Sequence, residues 1–160
     1  MTESILTHRP FEFAKGISYV NEISRIRTGS PFCHISIRKD GYIYESTAGK
    51  GVHKIDADLW MHGREGTTIF IYEMPEHYLD FGVFDYMEGK GYDYLANIQY
   101  ALRRGKNLDK ALSKNPNDKI YCSELWANMA HKNKPWEWTP HKCALDMAQK
   151  NLPLRMEIIK

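Results

Sequence analysis

The sequence predicts an α+β fold, and three observations carry that prediction. Residues 32–38 alternate apolar and polar side chains, and a second strand-like run, Tyr42–Thr47, follows directly after Asp40-Gly41. Segments with helical spacing lie on both sides of this pair. The order along the chain is helix, strands, helices, strand, which fits an antiparallel sheet packed against helices.

Ile17, Val20, Ile23 and Ile26 share one helical face, ended by Gly29 and Pro31. In the alternating run, Cys33, Ile35 and Ile37 point one way and His34 and Ser36 the other, as in a half-buried strand. Asp40-Gly41 predicts a type I′ turn, which needs positive φ at both central residues. With a two-residue loop Lys39 pairs with Tyr42, Ser36 faces Glu45 and His34 faces Thr47. Glu45 is then a same-face diagonal neighbour of His34.

A third strand is predicted over residues 67–72, helices over 76–87 and 94–104, and a short helix over 107–113. Leu125, Trp126 and Met129 give helical spacing after Cys122. Thr139 and Pro140 read as the N-cap and first position of the last helix. Residues 154–159 form a closing strand.

A chain of 160 residues with 42% hydrophobic content is one domain's length and can bury one core. The net charge of +2 is too small and its basic residues too scattered to argue for nucleic acid. No apolar run reaches the roughly 18 residues of a membrane span. The first ten residues lack an apolar signal-peptide core, so a cytoplasmic protein is expected. Three cysteines, Cys33, Cys122 and Cys143, show no CxxC spacing, which argues against a disulfide framework or structural zinc. His131 and His141, ten positions apart without an acidic partner, make a poor metal pair. Trp126, Trp136 and Trp138 are read as packing rather than a ligand wall.

Cys122 is where the chemistry concentrates. It stands where a polar loop turns into a helix, and free N–H groups with the helix dipole favour thiolate there. The same N–H groups can hold an oxyanion. A thiol nucleophile needs a base, and His34, held on a strand, is the best placed of seven histidines. Glu45 can accept the other imidazole N–H and fix its tautomer.

The segments SPFCHISI, GYIYES, GKGV, GYDYLA, YCSELW and WTPHKCALDMA together resemble the circularly permuted, NlpC-type branch of the papain-like superfamily, YiiX-like proteins above all. The likeness spans roughly residues 17–146, with the Ser-Pro-x-x-His strand entry and the Tyr-Cys-Ser-Glu-Leu helix start as its specific anchors. It implies a permuted papain-like fold in which the histidine strand precedes the nucleophile helix. It also implies Cys122 as nucleophile, His34 as base and Glu45 as the residue orienting His34. Tyr121 lines the site or packs, and Glu124 is read as structural. The activity implied is hydrolysis of an amide or ester through a thioacyl-enzyme, without metal or organic cofactor. Cell-wall peptides are the first substrate class; lipid esters or acyl transfer to an amine are the second. A non-catalytic module binding peptides or acyl chains is the rival.

Overall fold

The structure, a computed structural model, describes residues 1–8, 31–62, 64–93 and 119–160. The helices expected over 17–26, 94–104 and 107–113, and the polar loop before residue 119, lie outside the described residues. What is described is α+β: a six-stranded antiparallel sheet with a few helices. Its strands are β1 (Thr2–His8), β2 (His34–Lys39), β3 (Tyr42–Thr47), β4 (Gly51–Asp56), β5 (Thr68–Met74) and β6 (Leu154–Ile158), in spatial order β4-β3-β2-β1-β5-β6. Its α-helices are α1 (Ala57–Met61), α2 (Phe81–Met87), α3 (Cys122–Met129) and α4 (Pro140–Gln149).

The β2–β3 turn forms as the sequence requires, with Asp40 at φ 51° and Gly41 at φ 80°. The pairs Lys39–Tyr42, Arg38–Ile43 and Ile37–Tyr44 follow the expected register. The ladder ends there, so the expected pairs Ser36–Glu45 and His34–Thr47 are not made. From that point β2 keeps pairing only with β1, out to Thr7–His34, and β3 only with β4, out to Thr47–Gly51. The sheet forks between β2 and β3.

The sheet is covered on both faces. On one, Leu6, Ile35, Ile37 and Met74 pack with Phe84 of α2, Leu125, Trp126 and Met129 of α3, and Met147 of α4. On the other, Ile5, Ile43, Ile69 and Ile71 pack with Trp60 of α1 and Ile159. This corrects the half-buried reading of β2. Ser36, opposite the isoleucines, is 1% exposed because β2 is an interior strand with layers above and below it.

Two elements near the N-terminal half escaped the sequence pattern. β1 is the strand between β2 and β5, and α1 begins at Asp56, whose carboxylate accepts from the N–H groups of Asp58 and Leu59. The helix expected over 76–87 is broken: Glu76–Tyr78 is a 3-10 turn, and Asp80 recaps the chain by accepting from Gly82 N–H before α2. At α4 the sequence reading is met, with Thr139 capping Lys142 N–H and Pro140 first in the helix. The closing strand also forms, ending at Ile158. No helix among the described residues is long and apolar enough to cross a membrane.

Candidate active site

Cys122 is the first residue of α3, and the N-cap residue Tyr121 makes no side-chain capping bond. The N-cap side chain thus does not take the first-turn N–H groups, and that of Ser123 is turned to the Cys122 sulfur. The chain reaches this helix through the fork. Ser46 Oγ on β3 donates to Ile120 O (2.5 Å), while the backbone N–H groups of Ile35 on β2 and of Ser123 face the Cys122 sulfur. The separation of β2 from β3 therefore frees a strand N–H for the sulfur.

His34 stands at the start of β2 with its side chain 21% exposed, and it hydrogen-bonds Cys122. Its Nε2 meets Glu45 Oε2 at 2.8 Å, which leaves Nδ1 for the sulfur. Cys122 is 7% exposed, so the pair meets solvent chiefly on the His34 side. Burial alone would raise the Cys122 thiol, but His34 and the two N–H groups outweigh it and hold the thiol below its usual value. Burial likewise opposes charge on His34, yet the sulfur and Glu45 carry its pKa well above the usual imidazole range. Opposite shifts in one hydrogen-bonded pair favour thiolate and imidazolium together.

Glu45 completes the line. It is 2% exposed, and burial works against its charge, but His34 and then Trp60 and Arg64 bring its pKa down to about 2. Trp60 Nε1–H donates to the same Oε2 at 2.9 Å. The other oxygen lies 3.5 Å from His53 Nε2 and 4.0 Å from Arg64 Nη2. Arg64 also stacks over the Trp60 ring, 4.3 Å from its centroid. A carboxylate so held cannot swing away from the imidazole.

The structure thus brings together Cys122, His34 and Glu45. Sequence reasoning missed Trp60, His53 and Arg64. A signal for His53 was present: Gly49-Lys50-Gly51 closes a second hairpin, and its register sets His53 opposite Glu45. The signal for Trp60 was weaker, an Asp56 N-cap opening a five-residue helix.

The remaining singled-out residues pack or pair at the surface. Tyr121 is buried, and its hydroxyl donates to the Trp136 carbonyl. Glu124 is buried in the first turn of α3. Trp126 is fully enclosed, with Trp138 ring-to-ring at 5.9 Å. His131 Nε2 lies 3.1 Å from Asp80. Cys33 stops short of β2, half-buried, with its Sγ donating to Thr7 O at 3.3 Å.

No family model, curated protein or solved structure matches this chain.

Proposed function

We propose that this chain is a cysteine hydrolase that cleaves an amide or ester through a thioacyl-enzyme, on one circularly permuted papain-like domain of the NlpC type. The single observation that carries the reading is the unbroken hydrogen-bonded line Cys122–His34–Glu45 at an uncapped helix start. The chain order supports the permuted form, because the histidine strand comes before the nucleophile helix.

In the resting enzyme the proton sits on His34 and the charge on sulfur. The Cys122 thiolate adds to the substrate carbonyl, forming a C–S bond and an oxyanion, which the first-turn N–H groups of α3 receive. Collapse breaks the bond to the leaving amine or alcohol, and His34 gives it the proton. The imidazole, now neutral, takes a proton from water as the oxygen attacks the thioester. The second collapse expels the thiolate and leaves His34 protonated. Glu45 keeps Nδ1 aimed at sulfur and stabilises the imidazolium, without itself taking the proton. Small peptides of the cell wall are the proposed first substrates, and an amine in place of water would make the same intermediate an acyl transferase.

The test is a chromogenic activated ester followed by intact mass and peptide mapping. The wild type should carry one acyl group on Cys122, and Cys122→Ala should carry none while melting normally. Full turnover by Cys122→Ala would overturn the proposal. Saturable binding of peptides or acyl chains with no adduct from any substrate would favour a binding module instead.

A further inference from the structure

The sheet has two edges, and the chain treats them differently. At β4 the outward backbone is occupied by its own chain: Val52 N–H donates to Lys90 O (2.8 Å) and Gly89 N–H to Val52 O (2.9 Å). The approach is close enough that a Cβ at Gly51 would lie 2.1 Å from Lys90 O. At β6, among the described residues, no strand lies beyond.

The register of β6 on β5 decides which of its groups point out. Glu73 N–H donates to Pro153 O and Ile159 N–H to Thr67 O, with Ile71–Arg155 and Ile69–Glu157 paired between them in the same register. These odd-numbered residues bond inward, so Leu154, Met156 and Ile158 direct their N–H and C=O groups outward. The same three residues share one face and are 52%, 62% and 59% exposed. Natural sheets blunt an open edge with lysine, proline or a bulge. Between Leu154 and Ile158 there is neither lysine nor proline, and the two charged residues there, Arg155 and Glu157, carry opposite signs.

We propose that β6 is a self-association edge, pairing antiparallel with β6 of a second copy about a two-fold axis at Met156. The segment Leu-Arg-Met-Glu-Ile is complementary to itself when reversed. Met156 then opposes Met156, and Leu154 opposes Ile158, each pair exchanging both backbone hydrogen bonds because all these groups point outward. Arg155 opposes Glu157 in the intervening pairs, where side chains come closest. Neighbouring registers that keep outward groups opposed set Arg155 against Arg155, or Glu157 against Glu157, and lose an apolar pair. Charge therefore selects one register. Arg155 is already ordered by Glu3, Glu73 and Glu157 of its own chain, so little side-chain freedom is lost on association.

The partner is thus a second copy of this chain, in an isologous dimer whose sheet runs through both subunits. Two paired strands bury less than the ~1,200–2,000 Å² of a stable interface, so the dimer should form and dissociate with concentration. β5 and β1 separate β6 from the strand that carries His34. The inference does not depend on the catalytic reading.

Sedimentation equilibrium of the full chain, from low micromolar to submillimolar concentration, tests it alongside amide hydrogen exchange. The expected result is a reversible shift to twice the monomer mass, with slowed exchange at Leu154, Met156 and Ile158 in the concentrated sample only. Met156→Lys and Glu157→Arg should each weaken the dimer by about tenfold, since the first sets one pair of like charges opposite each other on the axis and the second sets two pairs across it. Thermal melts check that both variants fold. A monomer throughout the range would overturn the proposal, and so would a dimer indifferent to both substitutions. Slow exchange at the same three amides in the dilute monomer would mean that this chain covers its own edge, which overturns it as well.

Discussion

Cys122 and Cys143 are both buried, on helices α3 and α4 that pack against the same face of the sheet, and their thiols are driven in opposite directions. Cys143 is fully enclosed in the body of α4, where burial and then the negative charge of Cys122 push its thiol well above the usual range. Cys122 suffers the same burial but opens its helix, meets Ile35 and Ser123 N–H, and has His34 beside it. The difference teaches that enclosure by itself makes a cysteine inert. A nucleophile needs donors and a cation that more than offset the loss of water.

The largest effect that would break or sharpen this contrast is alkylation by iodoacetamide in the native protein near neutral pH. Cys122 should react about 10²-fold or more faster than Cys143, because only the thiolate attacks. Cys33, half-buried and bonded to the Thr7 carbonyl, should also lag. Peptide mapping over a time course reads all three, and equal labelling would erase the distinction.

Removing the cation comes next. His34→Ala should slow acylation of Cys122 by about 10²-fold, the scale for loss of a general acid–base group. It should also move the midpoint of the Cys122 alkylation rate upward in pH, towards Cys143-like behaviour, since the imidazolium that lowers the thiol is gone. An unchanged midpoint would mean that the helix start alone lowers the thiol.

Glu45→Gln should be milder in rate, about tenfold, because the base stays and only its aim and charge suffer. Its clearer signature is acid stability. The folded value of Glu45 is depressed from 4.5 to about 2, so its stabilisation is present above about pH 4.5 and lost as pH falls towards 2. That difference is worth on the order of 3 kcal/mol. Wild type should therefore melt well above Glu45→Gln at neutral pH, and the two curves should converge by about pH 2. Parallel curves across that interval would show that the carboxylate is not held by charge.

How much of this was legible in the sequence follows the range of the forces involved. The Asp40-Gly41 turn, the three pairs nearest it and the Thr139-Pro140 helix start depend on a few adjacent residues, and each was readable. The helical break at Leu79-Asp80 was not. Apolar spacing ran through it, and the competing cap at Asp80 depends on whether the chain must turn there. β1 escaped because Glu3 and Ser4 find their partners far along the chain: Trp126 Nε1–H donates to Ser4 Oγ, and Glu3 pairs with Arg38 and Arg155. A strand so rich in Ser, Thr and Glu does not look like the middle of a sheet until its partners are known.

The sequence by itself determined the α+β class, the β2–β3 hairpin and the three residue types at Cys122, His34 and Glu45, because local turn chemistry and residue identity suffice for these. Only the tertiary structure decided that the sheet forks between β2 and β3, that Ile35 N–H turns to the sulfur, and that Trp60 and Arg64 lock Glu45 in place. Those outcomes join segments up to about ninety residues apart, where packing and charge act across the fold rather than along the chain.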